Sequence, residues 1–201
     1  YSVAWIDCLA RGTQLGRSIL MRGEHATVAE AAPLLQGREP LDFRPVQKLS
    51  VPFSLPGFVL NPLTVRAFNT CYHAAQSRHA GSRITNYDTF FYPLDAIGDW
   101  NRIYGKRGFT QYQAVFPTEH SRAGLQELLE RISSSGQGSF LAVLKQFGPR
   151  TGFISFPRAG YTLALDFPIT LRNLQLFDEL DEVVLRHGVR MYLAKDVWMP
   201  R

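Results

Sequence analysis

Apolar and polar residues alternate along residues 109–116 (FTQYQAVF) and 161–167 (YTLALDF), as they do in strands with one buried face. A third run, residues 139–147 (SFLAVLKQF), is apolar on both sides and also reads as a strand. Between and after these runs the period lengthens to that of a helix over 119–133 and 171–187, and residues 189–193 close the pattern with a short strand. The order is βαββαβ, which predicts a ferredoxin-like unit. The fold class expected is therefore α+β, a mostly antiparallel sheet with helices packed on one face.

Alternation splits each strand into two sets of side chains. Tyr161, Leu163, Leu165 and Phe167 point one way, with Tyr112, Ala114 and Phe116. These must meet the helix stripes Leu125, Leu128, Leu129 and Ile132, and Leu174, Phe177, Leu180 and Val184. That face is the predicted core. The opposite face collects Gln111, Gln113, Lys145, Phe147, Thr162 and Ala164, and in the usual strand order of this unit the two glutamines lie beside Thr162 and Ala164.

The remaining half must extend the sheet or cover it. Residues 1–7 (YSVAWID) and 17–23 (RSILMRG) read as two more strands, and residues 26–35 as a short helix. Pro33, Gly37, Pro40 and Pro45 make 33–61 mostly extended connection. Asn61 followed by Pro62 predicts a helix start, an amide cap and then a proline in the first turn, with Val65, Phe68, Tyr72 and Ala75 as its apolar stripe. Residues 83–88 read as a strand. Residues 91–108, dense in Tyr, Trp, Asp and Gly, fit no period, and the loop 148–160 (GPRTGFISFPRAG) is long enough to be a functional loop.

Composition narrows the picture a little. The 201 residues suffice for one domain, 1–201, with a good core, and 45% hydrophobic content is ordinary for a globular chain. The chain does not begin with Met and is expected to be a piece of a longer protein. No stretch nears the roughly 18 apolar residues of a membrane span and no secretory signal is visible; a cytoplasmic location is expected, with association to a membrane surface left open. Cys8 and Cys71 form no disulfide framework and read as reduced and structural. A net charge of +5 favours an anionic partner, although its 22 Lys and Arg are scattered, and the five His have no metal-ligand spacing.

The polar face has two readings. The ordinary one is a half-solvated antiparallel sheet. The sharper one is a site for something flat and polar, held by amide groups and a cation. Lys145, between Leu144 and Phe147, would be costly to bury without a partner, Trp5 and Trp100 read as core, and Asp166 and Asp196 read as partners for nearby Arg.

Residues 1–7 (YSVAWID), 15–23 (LGRSILMRG), 91–113 (FYPLDAIGDWNRIYGKRGFTQYQ), 145–149 (KQFGP), 165–168 (LDFP) and 192–196 (YLAKD), in order over nearly the whole chain, carry a resemblance. They are similar to the substrate, or cap, domain of decaprenylphosphoryl-ribose oxidases, bacterial members of the vanillyl-alcohol-oxidase type of FAD-linked enzymes. The resemblance implies that the open sheet face covers a flavin whose FAD-binding domain lies elsewhere in the same polypeptide, and that an alcohol carbon of a small-molecule or lipid-linked sugar gives a hydride to that flavin. It further implies that Gln111 and Gln113 line the pocket near flavin and substrate, that Lys145 holds substrate hydroxyls or phosphate, and that Phe147 is a hydrophobic wall. Lys195 would sit beside the reacting hydroxyl as the catalytic residue, and with Gln111 beside the cofactor. Strict alternation would turn Lys195 toward the core unless the strand ends or bulges first. Family members carry Asn at the position of Thr162 and Cys at that of Ala164, so the pocket here differs in shape and polarity.

An FAD-linked oxidoreductase acting on CH–OH groups is the first reading, and the isolated chain is then expected to be inactive. A non-catalytic ferredoxin-like module for an anionic ligand or RNA is the alternative. RNA binding would need adjacent exposed aromatics on the middle strands, where the sequence holds Gln111, Gln113, Thr162 and Ala164; no nucleic-acid partner and no metal are expected.

Overall fold

Two nine-residue strands form the centre, since each carries a complete apolar set on one side. In a computed structural model that describes residues 1–35, 37, 39, 49–78, 81–149, 152 and 156–192, the chain begins with β1 (Ser2–Ile6), β2 (Ser18–Arg22) and helix α1 (Val28–Leu35). The middle stretch holds β3 (Leu49–Ser50), α2 (Pro62–Arg78), α3 (Tyr87–Phe91), β4 (Ile97–Gly98) and a 3-10 turn at Trp100–Tyr104. Then follow β5 (Phe109–Pro117), α4 (Ser121–Ser135), β6 (Ala142–Phe147), β7 (Gly160–Pro168), α5 (Leu171–Arg186) and β8 (Arg190–Met191). The six-stranded sheet runs β2-β1-β6-β7-β5-β8, with every pair antiparallel, and β3 pairs with β4 alone.

The last four strands of that order are the ferredoxin-like arrangement, with β5 and β7 as the central pair. The expected core face is the buried one. Tyr112, Phe116, Leu163, Leu165 and Phe167 have almost no exposure, and they meet Leu128, Ile132, Phe177 and Leu180 of the two helices. Each such side chain contributes about 1.5–3 kcal/mol on leaving water. Tyr112 keeps its hydroxyl satisfied by donating to Asp181 Oδ1 of α5 (2.9 Å). Two glycines permit close approaches here. A Cβ on Gly124 of α4 would lie 2.4 Å from the Phe116 ring, and one on Gly160, at φ 150°, would lie 1.9 Å from the Phe116 carbonyl oxygen.

Of the two roles open to the N-terminal half, extending the sheet or covering it, it takes a part in each. β1 adds to the free edge of β6 and β2 to β1, so the sheet is extended. α2 then covers part of the other face, its Tyr72 ring 4.8 Å from Trp5. The α2 start is as predicted, with Asn61 Oδ1 accepting from the N–H groups of Leu63 (2.8 Å) and Thr64 (3.1 Å). Its buried positions are Val65 and Asn69, while Phe68 and Ala75 of the expected stripe are exposed. Asn69 is buried because its amide donates to Asp7 Oδ1 (2.8 Å), and Arg17 donates to Asp7 Oδ2 (2.5 Å). This polar knot joins β1, β2 and α2.

Several boundaries differ from the periodic reading. Residues 83–88 form no strand; α3 begins at Tyr87 instead, where Asn86 precedes the first turn. β6 starts at Ala142, because the Ser139 hydroxyl bonds both backbone groups of Leu141 and receives Asp166 N–H (3.2 Å). Trp5 is buried and Trp100 half-buried. Cys8 is free and buried, with its thiol pushed up to about 12 by burial, whereas Cys71 is free and exposed.

Candidate functional site

Register decides what sits beside what on the face away from α4 and α5. Lys145 of β6 lies opposite Thr162 of β7, Thr162 opposite Val115 of β5, and Val115 opposite Arg190 of β8. The next row is Trp5, Val143, Ala164 and Gln113, and beyond it Gln111 faces Asp166. Gln111, Gln113, Lys145, Phe147, Thr162 and Ala164 therefore share one face. Gln113 lies beside Ala164 as the strand order predicts; Gln111 lies beside Asp166.

Both glutamines reach across to β7. Gln111 Nε2 donates to Asp166 Oδ1 (2.6 Å), and Gln113 Nε2 donates to Thr162 Oγ1 (3.2 Å), whose hydroxyl in turn donates to the Ala114 carbonyl (3.0 Å). Their carbonyl oxygens accept from nothing among the described residues. The pair thus offers two acceptors without a partner among the described residues, held in place because each amide nitrogen is engaged. Asp166 is buried and accepts from the Gln111 amide. Asp196 lies outside the described residues. Lys145 is exposed and makes no ion pair among the described residues, so its cation is solvated and not buried between Leu144 and Phe147.

Aromatic rings stand at both ends of this floor. At the Phe109 end, Tyr104 stacks on Phe109 (4.6 Å) and on Phe140 (5.6 Å), and Phe140 meets Phe68 of α2 (5.5 Å). Burial, and secondarily the nearby Asp166 carboxylate, push the Tyr104 phenol well above its ordinary range, so it stays protonated. At the other end Phe156 lies edge-on to Phe147 (6.0 Å) and stacks on Tyr192 (4.5 Å). Phe156 thereby bridges from β6 toward β8 above the central strands, and Arg158 anchors its loop by donating to the Gly188 carbonyl (3.2 Å). The outcome is a sheet face with Gln111, Gln113, Thr162 and Lys145 across it and aromatic pairs toward both of its ends.

Sequence reasoning missed Phe156, Tyr192 and Tyr104 as members of these aromatic pairs. The loop 148–160 was marked by its length, and Tyr192 follows from alternation beyond Arg190, but neither signal says that the two rings stack. Lys195 lies outside the described residues. Among the described residues no group of His, Cys, Asp or Glu has the geometry of a metal site.

With this geometry in view, two relatives can be compared. The chain is 36% identical over 197 residues to the decaprenylphosphoryl-beta-D-ribose oxidase of Mycolicibacterium smegmatis, an alignment covering 98% of this chain and 42% of that protein. The chain is thus similar to an oxidase along almost its whole length. It is also 31% identical over 207 residues to an uncharacterized protein in the mprA 5' region of Streptomyces coelicolor, covering 98% of this chain and 54% of that protein. The chain therefore spans about half the length of the curated relatives it matches. No family model matches it. The resemblance read from the motifs is the one that the first comparison finds.

Proposed function

We propose that this chain is the substrate-facing domain of an FAD-linked oxidoreductase acting on a CH–OH group of a sugar or polyol, in its sharpest form a polyprenyl-phosphate pentose. The FAD is held mainly by another domain of the same polypeptide. The observation that carries the reading is a single polar floor, made by Gln111, Gln113, Thr162 and Lys145, on the sheet face that α4 and α5 leave uncovered.

The residues present suit both a flavin and a sugar. The glutamine carbonyls, which have no partner among the described residues, are acceptors for the N–H edge of a flavin ring or for sugar hydroxyls. Ala164 beside Gln113 is small and part-exposed, whereas Thr162 is buried and serves to hold Gln113. Bound FAD would supply the hydride acceptor. Gln111 and Gln113 orient what lies on the floor, because their amides cannot swing without breaking the bonds to Asp166 and Thr162. Lys145 brings a cation to substrate hydroxyls or phosphate, and Phe147, backed by Phe156, excludes water from one side. Lys195 takes the role of a cation beside the reacting hydroxyl, stabilising developing negative charge on oxygen or relaying its proton.

The complete polypeptide is expected to be yellow, and decaprenylphosphoryl ribose is expected to bleach its visible flavin absorbance. Lys195→Ala should leave that bleaching at the background rate while flavin stays bound. A variant reduced as fast as wild type would remove Lys195 from the chemistry. A complete polypeptide that carries no flavin would overturn the whole reading.

A further inference from the structure

We propose that Asp166 is a positioning residue: it locks the Gln111 amide so that the carbonyl, and not the NH2 group, meets the ligand. A carboxylate oxygen only accepts hydrogen bonds, so the end of the amide that lies 2.6 Å from Asp166 Oδ1 must be the nitrogen. The amide oxygen is then the group left to bind, and it takes O–H or N–H donors. Asp166 is itself held in place. Its side chain is buried (2% exposed), and its backbone N–H donates to the Ser139 hydroxyl (3.2 Å), which is fixed in turn between the backbone groups of Leu141.

The neighbouring glutamine is held less strictly, and the difference argues for a role. Gln113 rests on the Thr162 hydroxyl at 3.2 Å, and a hydroxyl both donates and accepts. Thr162 would therefore tolerate either end of its amide, whereas Asp166 tolerates one. Burying a carboxyl group is costly, and an apolar side chain would fill the same place without that penalty. The penalty falls beside a part-exposed glutamine, on the sheet face that α4 and α5 leave uncovered, which points to Gln111 as the group it serves. The donor that meets Gln111 has two sources, a hydroxyl of the sugar or the N–H edge of the flavin. The inference rests on the oxidoreductase reading and adds to it which end of Gln111 the ligand meets and what enforces that choice.

The test is a double-substitution cycle in the complete polypeptide, Asp166→Asn and Gln111→Met singly and together. Its readouts are flavin reduction by decaprenylphosphoryl ribose, the visible spectrum and midpoint potential of the resting flavin, and thermal melts. Asp166→Asn keeps the shape but offers Gln111 either a donor or an acceptor, so the amide can turn over. Gln111→Met keeps the bulk and removes the acceptor. If the donor is a sugar hydroxyl, each single variant should raise KM about three- to tenfold with spectrum and potential unchanged. If it is the flavin edge, each should shift spectrum and potential with KM unchanged. In either case, adding Asp166→Asn to the Gln111→Met background should change KM by less than about twofold and shift the flavin no further. Independent, multiplying effects would overturn the proposal, because Asp166 would then act otherwise than through Gln111. So would wild-type KM, spectrum and potential in Gln111→Met, whose part-exposed site keeps the test open even where Asp166→Asn does not fold. A loss confined to the melts would mark Asp166 as structural and overturn it too. A wild-type polypeptide whose flavin is absent or not reduced by the sugar would sink the oxidoreductase reading and this inference with it, whereas an independent cycle in a reducible wild type sinks this inference alone.

Discussion

The βαββαβ unit and the stretch between β2 and β5 use apolar side chains in opposite ways. In the first, Leu128, Ile132, Leu163, Leu165, Phe167 and Leu180 are wholly buried between the sheet and two helices. In the second, Leu49, Phe53, Phe58 and Leu63 are exposed, and the strands β3 and β4 have two residues each. What holds the second stretch is specific bonding: the Arg102 side chain donates to the Val51 carbonyl (2.9 Å), Leu55 N–H donates to the Arg102 carbonyl (2.9 Å), and Asn61 caps α2. One region is stabilised by area removed from water, the other by a few directed contacts that leave a surface over. A chain can therefore carry a firm scaffold and an exposed apolar stretch in adjacent segments.

Substitutions can break or sharpen this contrast, and the largest effect is expected in the scaffold. Phe177 packs on Tyr112 and Phe167 with almost no exposure. Phe177→Ala should lower unfolding free energy by about 3–5 kcal/mol, read from chemical denaturation; a loss below 1 kcal/mol would mean the two-helix layer is not the source of stability.

At the junction, Asp7→Ala removes the acceptor of both Asn69 and Arg17 and leaves the buried amide unpaired. About 1–3 kcal/mol should be lost, and Asn69→Ala in the same background should then cost less than it does alone. Additive losses would show that the knot does not act as a unit.

A smaller effect belongs to Glu127, whose carboxyl is held below the usual carboxylate range chiefly by its hydrogen bond to His187 (2.7 Å) and also by Arg186. A depressed pKa adds stability above the unfolded-state value, near 4.5, and loses it as pH falls through the folded-state value. Thermal melts of Glu127→Gln against wild type should differ near neutral pH by at most about 1 kcal/mol, since the pair is open to solvent, and should converge in acid. A gap that persists below pH 3 or so would point to packing and not charge.

Smallest of all, Phe58→Ser should change stability by no more than about 0.5 kcal/mol. A larger loss would mean that this ring belongs to the core after all.

Much of the scaffold was legible in advance because its signals are local. Alternation in 109–116 and 161–167 separates Tyr112 from Gln111 and Leu163 from Thr162 whatever the rest of the chain does, and Asn61 before Pro62 marks a helix start from three or four residues alone. The misread segment, 83–88, has no clear period, so propensity had nothing to oppose it. Asn69 was missed for another reason: a polar residue enters a buried stripe only when a distant partner, here Asp7, satisfies its amide.

By itself, then, the sequence determined which side chains share a face, where the long helices lie and that one sheet face would be polar. Tertiary structure decided that Gln111 is tied to Asp166, that β1 and β2 extend the sheet from the β6 edge, and that Phe156 stacks on Tyr192 above the floor. Faces follow from the period of a single strand, which any short run of residues repeats. Neighbours across strands depend on register between segments scores of residues apart, and that register is set only when the whole core closes.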